Sequence, residues 1–192
     1  MTTKLSGCAQ TGLLLMANIF FCADHHIGHN NILQFTREDG TKLRNFQSIE
    51  AHDEYLVERH NSVVRPGDRV YFVGDVAMHH RYLQVLGRMN GKKVLVKGNH
   101  DIHKLSHYTP WFEDIRGFHQ FSGMAISHIP IHPGSLSRWK VNIHGHLHSN
   151  RVTLDSGQYD QRYHCVSMEQ LDDYTPVSLE QLRQKCAEVL NS

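Results

Sequence analysis

The stretch KVLVKGNHDIHK, residues 93–104, carries the reading that decides the fold. Val94, Leu95 and Val96 form a short, largely β-branched apolar run of the kind that builds a buried strand. The run ends at Gly98, and Asn99, His100 and Asp101 follow at once. An amide, an imidazole and a carboxylate gain nothing from an apolar core, but together they can hold a ligand or move a proton.

The same ending recurs along the chain. Ile19–Ala23 runs into Asp24-His25-His26, and Arg69–Val73 runs into Gly74-Asp75. Met124–Ser127 is followed by His128, and Val141–Ile143 by His144-Gly145-His146-Leu147-His148. Tyr163–Met168 reads as one further strand. Helical spacing lies between the strands. Ile49, Asp53, Leu56, His60 and Val63 share a face behind a Ser48 N-cap, and Pro66-Gly67-Asp68 closes that segment. Tyr82, Leu83, Leu86 and Met89 predict a second helix, ended by Asn90-Gly91. Ser178 with Gln181 is a capping-box pair, and Leu179, Leu182, Cys186 and Val189 make an apolar stripe for core packing. Strands alternating with helices define an α/β domain, and in such sheets ligands bind at the carboxyl ends of the strands.

Residues two apart in an extended segment project to one side, so Asp24 and His26 are expected to reach one ion together, as are His146 and His148. Glycines at 74, 98 and 145 are expected to let the backbone turn sharply. The donor set is Asp24, His26, Asp75, Asn99, His128, His146 and His148. Seven donors overfill one ion and suit two ions sharing a carboxylate. Imidazole, carboxylate and amide without thiolate favour manganese, then iron, zinc or nickel. Two ions about 3.5–4 Å apart are a clamp for in-line displacement at phosphorus.

Composition limits the alternatives. The 192 residues, 40% of them hydrophobic, suit one domain with a proper core. A net charge of +1 creates no global field towards nucleic acid or membrane. The 17 histidines are scattered rather than run together, which points to metal or proton chemistry. Cys8, Cys22, Cys165 and Cys186 form no CxxC pair, which suits a reducing cytoplasm. Met16 is read as the natural start, with residues 1–15 an N-terminal extension and 16–192 the domain. No stretch of the sequence is long and apolar enough to span a bilayer, and the expectation is a soluble, cytoplasmic protein.

The ordered set DxH, GD, GNHD, an isolated His before x-Pro, and GHxH resembles the calcineurin-like metallophosphoesterase superfamily over Asp24 to His148. ADHHIGHNNILQF, HNSVVRPGDRVYFVGDVA and YTPVSLEQL are similar to a small family of stand-alone bacterial and phage phosphoesterases within it. The resemblance implies two facing β-sheets flanked by helices, an αββα sandwich, with a dimetal site at one edge. It implies that Asp24, His26 and His148 hold one ion, that Asn99, His128 and His146 hold the other, and that Asp75 bridges. It places His100 at the leaving-group oxygen with Asp101 orienting its ring, and the reaction as direct attack by a metal-bridging hydroxide.

Substrate class follows from a departure. Asp75 is followed by Val76-Ala77-Met78-His79-His80-Arg81, without the GDxVDRG arginine that grips a dianionic monoester in the superfamily's protein phosphatases. Phosphodiesters are therefore favoured, small or terminal ones because the chain lacks room for a large capping domain; short oligonucleotides and cyclic nucleotides fit this description. Arg37 and Arg44, in the segment Thr36–Gln47, and His29 are weaker candidates for substrate contact, and His144 is a candidate support for the site. No role is assigned to His52, His60, His79, His80, His103, His107, His119 or His164. The alternatives are a small-substrate phosphomonoesterase, a metal-bound scaffold without catalysis, and a metal-buffering or nucleic-acid-binding protein. Oligomeric state is not legible.

Overall fold

The computed structural model describes residues 17–191, so Met16 and the expected extension 1–15 lie outside the described residues. β1 (Ile19–Cys22), β2 (Arg69–Phe72), β3 (Lys92–Val96) and β4 (Asp114–Arg116) pair in parallel, and β9 (Val177–Ser178) adds to β1 antiparallel, giving the order β4-β3-β2-β1-β9. A second sheet has the order β5-β6-β7-β8, from β5 (His119–Phe121), β6 (Met124–Ile126), β7 (Val141–His144) and β8 (Tyr163–Cys165). Within it β6, β7 and β8 are parallel. The architecture is a sandwich of two facing sheets flanked by helices.

Side-chain alternation explains the layering. Phe21, Tyr71, Val73, Val94 and Val96 face the second sheet, where Met124, Ile126, Val141 and Ile143 meet them. The residues between them, Phe20, Cys22, Val70, Phe72 and Leu95, face the helices on the opposite side. The near-continuous apolar runs of β1 to β3 are thus those of strands buried on both faces. α1 (Ile49–Val63) supplies Leu56 and Val57 to that outer layer, and its Ser48 cap accepts from the Ala51 N–H as expected.

Where a second α-helix was expected, residues His80–Arg88 form a 3-10 helix. Leu83, Leu86 and Met89 are all buried and spaced by three, so the tighter winding puts them on one face, which a 3.6-residue turn would splay. The Ser178–Gln181 capping box is present in both directions at the start of α3 (Leu179–Lys185), which adds Leu182 to the core between the sheets. Among the described residues no helix is long and apolar enough to cross a membrane.

Parallel pairing within each sheet sends the carboxyl ends of β1, β2, β3, β6, β7 and β8 to a common edge. Every donor named from the sequence lies just beyond one of these six strands.

Candidate metal centre

Asp24, just past β1, is fully buried. Its Oδ2 accepts from the Ser167 hydroxyl at 2.6 Å and from the His146 N–H at 2.9 Å, while Oδ1 has no partner. His26 is also buried, and neither of its ring nitrogens has a partner. Buried polar atoms are satisfied in nearly every case, so Asp24 Oδ1 and His26 Nε2, which face each other at 3.8 Å without a hydrogen bond, call for a cation. Asp24, His26 and His148 form one triad of ligand atoms within 4.8 Å of one another, and Asp24, Asp75 and His128 form another.

Asp75 joins the two halves. Its Oδ2 lies 3.3 Å from His128 Nε2 and 3.8 Å from His26 Nε2, and its Oδ1 accepts the His100 N–H at 2.9 Å. Asn99 Oδ1 accepts from His128 Nε2 at 3.0 Å and from His146 Nδ1 at 2.9 Å. The seven donors therefore form one contiguous set.

Outer contacts fix the rings. His128 Nδ1–H donates to the Val73 carbonyl at 2.8 Å, which turns Nε2 into the site. His148 Nδ1 donates to Glu169 Oε1 at 3.1 Å and leaves Nε2 free for a ligand role. Burial disfavours charge on His128, but the Asp75 and Asp24 carboxylates outweigh it and lift its pKa to about 9. Burial also lifts Asp24 to about 6, against the opposing pull of His128 and His148. Burial holds His26 far below the usual imidazole range, in the neutral form that ligates.

The backbone route to this arrangement is not the expected one. Asp24, His26, Asp75, His146 and His148 all have positive φ, from 50° to 70°. They share a side because single left-handed residues bend the strand ends into the site, not because an extended segment alternates. Non-glycine residues rarely adopt this region, and they cluster where function over-determines the backbone. The glycines also divide their work. Gly74 turns the chain at φ 88°, but Gly98 and Gly145 have no positive φ. A Cβ at Gly98 would lie 2.2 Å from Asp75 Oδ1, and one at Gly145 would lie 2.6 Å from Asp24 Oδ2. They are glycines to let the ligand carboxylates pass. Gly98→Ala is accordingly expected to displace the Asp75 carboxylate and destabilise the fold by about 1–3 kcal/mol, read by urea unfolding; unchanged stability with unchanged metal content would refute the close-approach argument.

Asp101 does not orient the His100 ring. Its buried carboxylate accepts the Asp75 and Gly98 N–H groups, both at 2.8 Å, and the Val76 N–H at 3.2 Å, tying the loop after β2 to the loop after β3. His100 is exposed at the lip, with its ring 5.8 Å from that of His26. His29 stands beside them, 5.5 Å from the His26 ring, with Nδ1 unpartnered.

The arginine candidates are placed elsewhere. Arg44 is buried at 1% exposure and cannot meet a substrate. It donates to the carbonyls of Asp24 and His25 and, through Nε at 2.8 Å, to Glu169 Oε1. Its Nη1 also meets His52 Nε2 at 3.0 Å, and His52 Nδ1 meets Asp53 Oδ1 at 2.8 Å. Arg37 closes its own loop on the Lys42 and Leu43 carbonyls. The segment Thr36–Gln47 is therefore built structure, with Leu43 and Phe46 in a small apolar cluster with Ile32, Leu33 and Ile49. His144 donates to the Gly145 carbonyl and shapes the turn before His146.

Two residues of the site carry no motif. Ser167 holds Asp24, and Glu169 holds both His148 and Arg44. The signal available was position, since both follow β8 at the same edge; reading the strand as far as Met168 placed Ser167 inside it, and Glu169 just past its end carries no motif.

Fold and site together define an α/β sandwich with a histidine–carboxylate cluster, suited to divalent metal, at the carboxyl edge of its sheets. The chain belongs to the family of the uncharacterized protein MJ1445 of Methanocaldococcus jannaschii, with which it is 30% identical over 169 residues, 86% of this chain and 89% of that protein. The Gene 66 protein of Mycobacterium phage L5 is 30% identical over 176 residues, covering 71% of this chain and 80% of its own length. A crystal structure of AQ665, a protein of unknown function from Aquifex aeolicus, superposes with a TM-score of 0.67 at 25% identity, over 88% of this chain and 98% of that one. No family model matches the chain.

Proposed function

We propose that this protein is a dinuclear-metal-dependent phosphoesterase of the calcineurin-like superfamily that hydrolyses small or terminal phosphodiesters, nucleotide-derived ones among them, in the cytoplasm. The observation that carries the reading is Asp75 Oδ2, which stands between His26 and His128 at 3.8 and 3.3 Å and so belongs to both halves of the donor set. Asp24 reaches both halves too, but its Oδ2 is already taken by Ser167 and His146, which leaves only Oδ1. Asp24, His26 and His148 would then hold one ion and Asn99, His128 and His146 a second, with Asp75 placed to serve both. Manganese suits this donor set first, with iron, zinc or nickel as alternatives. When bound, two such ions polarise a phosphoryl oxygen and lower the pKa of water.

The chain's own residues supply the rest. His100 presents its ring at the open lip, where a leaving group departs, and its backbone N–H is anchored on Asp75 Oδ1. It acts there as proton donor to the leaving oxygen. Asp101 keeps the two loops, and so Asp75 and His100, in register. His29 lies within reach of the same opening.

The preference for diesters rests on where the arginines are. Arg44 is bound internally, and Arg81 donates to the Tyr82 hydroxyl with its guanidinium 4.7 Å over that ring. Neither offers a free fork for the second charge of a monoester.

The test is hydrolysis of bis(4-nitrophenyl) phosphate and 4-nitrophenyl phosphate by metal-stripped protein with manganese restored. Metal-dependent diester turnover is expected to exceed monoester turnover. His100→Ala is expected to lower it by about 10²-fold with bound manganese unchanged. Faster monoester turnover would make the protein a phosphomonoesterase, and two bound ions with no turnover would make it a scaffold.

A further inference from the structure

We propose that His79, His80, His103 and His107 form a second cation site, separate from the centre above and suited to a borderline divalent ion of the zinc class. The four imidazoles come from two segments. His79 caps the 3-10 helix that begins at His80, and His103 and His107 flank the start of α2 (Leu105–Tyr108). Ring centroids are 4.2 Å apart for His80 and His107, 4.4 Å for His79 and His80, and 5.7 Å for His80 and His103. The remaining close pairs, His79–His103 and His103–His107, are 6.1 and 6.4 Å apart.

The rings share one patch, with His80 stacked on His107 at 20°. Among the described residues only the central donors already have three ligand atoms within 4.8 Å of one another, so these rings have to turn to bring their nitrogens to one point. Imidazoles bound through nitrogen at about 2.0–2.1 Å around a tetrahedral ion have centroids roughly 5 Å apart. The observed distances bracket that value; the exposed His80 has rotamer freedom to turn inward, and His79, whose Nδ1 accepts the Arg81 N–H, has Nε2 left to offer. A second observation points to a ligand: His103 Nε2 is buried without a hydrogen-bond partner, and the Tyr108 ring stacks on His103 at 6.1 Å from behind.

Charge in the neighbourhood defines the ion. The groups acting on His79 are His80, Arg81, His103 and His107, and those acting on His107 are His80, His103 and Lys104; no carboxylate is among them. Burial and these neighbours all favour the neutral ring, which is the ligating form. Arg81 is turned onto Tyr82 and does not fill the cluster. A set of imidazoles without a carboxylate takes zinc, nickel or copper and rejects magnesium, calcium and manganese, which need oxygen donors. The site is thus chemically distinct from the mixed oxygen and nitrogen centre. Its position gives it a use, since His79 lies on the loop leaving Asp75 and His103 on the loop leaving Asp101. An ion there clasps the two loops that carry the central donors.

The experiment is equilibrium dialysis of the full chain against zinc buffered by a competing chelator, with bound metal counted for wild type, His80→Gln/His107→Gln and His79→Gln/His103→Gln. Each double variant is expected to bind one zinc fewer per chain than wild type; zinc taken up at the central site cancels in the difference. Manganese uptake, measured separately, is expected to be equal in all three. The proposal is overturned if either variant retains the wild-type zinc count, or if manganese uptake falls in parallel, which would mean that the substitutions disturbed the fold. It does not depend on phosphoesterase activity.

Discussion

Under the proposed function, Asp75→Asn is expected to reduce manganese-dependent phosphodiester turnover by about 10³-fold or more, because bound ions would provide several kcal/mol of transition-state stabilisation and the substitution removes a carboxylate that faces both halves of the donor set. Asp75 Oδ2 faces His26 and His128 together, whereas Oδ1 is committed to the His100 N–H. An amide can preserve the Oδ1 contact. It then presents an NH2 to both halves of the donor set, where a donor hydrogen would meet the charge of a bound cation. The backbone at this position remains anchored, since Asp101 accepts the N–H groups of Asp75, Val76 and Gly98. The variant is therefore expected to fold normally and to bind fewer than two manganese ions per chain, measured by metal analysis beside kcat/KM. Two bound ions with turnover within about tenfold of wild type would place the bridge elsewhere, with Asp24 the next candidate because it belongs to both ligand triads.

How much of this centre is legible in the sequence depends on the kind of interaction. The apolar runs that end in Asp24, Asp75, Asn99, His128 and His146 are legible because a strand buried on both faces and its polar terminus leave a local signature. The geometry that gathers them is not. Five donors sit at positive φ, which no residue type announces when it is not glycine. Gly98 and Gly145 are visible as glycines, but their reason, the passage of Asp75 and Asp24 from other strands, is a contact between residues distant in the chain. The same holds for Asp101. Its neighbour His100 suggests an imidazole–carboxylate pair, yet a buried carboxylate facing three free N–H groups is better satisfied by them. The helix expected from Tyr82 to Met89 is 3-10 rather than α for a local reason, because Leu83, Leu86 and Met89 are spaced strictly by three, which fits a three-residue turn better than one of 3.6.

Arg44→Met is expected to destabilise the fold by about 3–5 kcal/mol, the cost of leaving a buried charge without its partner. The stranded charge is Glu169, whose side chain is fully buried and whose Oε1 accepts from Arg44 and His148. Burial alone would lift this carboxyl; the Arg44 guanidinium, then His148, outweigh it and hold it at about 2. An unfolded chain takes up this proton near the ordinary carboxylate value of 4.5, before the folded chain does. The pairing therefore contributes its full stability above that value and loses it as the pH falls towards about 2. In Arg44→Met the folded value rises and acid unfolding moves to higher pH. Urea unfolding at neutral pH measures the loss, and Arg44→Met/Glu169→Gln is expected to recover much of it, because the double variant buries no unpaired charge. It is not expected to recover the site. With Glu169 neutral, His148 Nδ1 loses its carboxylate partner and Asp24 loses the guanidinium on its carbonyl, so metal affinity is expected to fall by about 10–100-fold. Stability restored without metal affinity would show that Arg44 and Glu169 are retained to aim Asp24 and His148. A double variant as unstable as Arg44→Met would mean instead that the guanidinium's hydrogen bonds to the Asp24 and His25 carbonyls hold the fold, and that the ion pair is incidental.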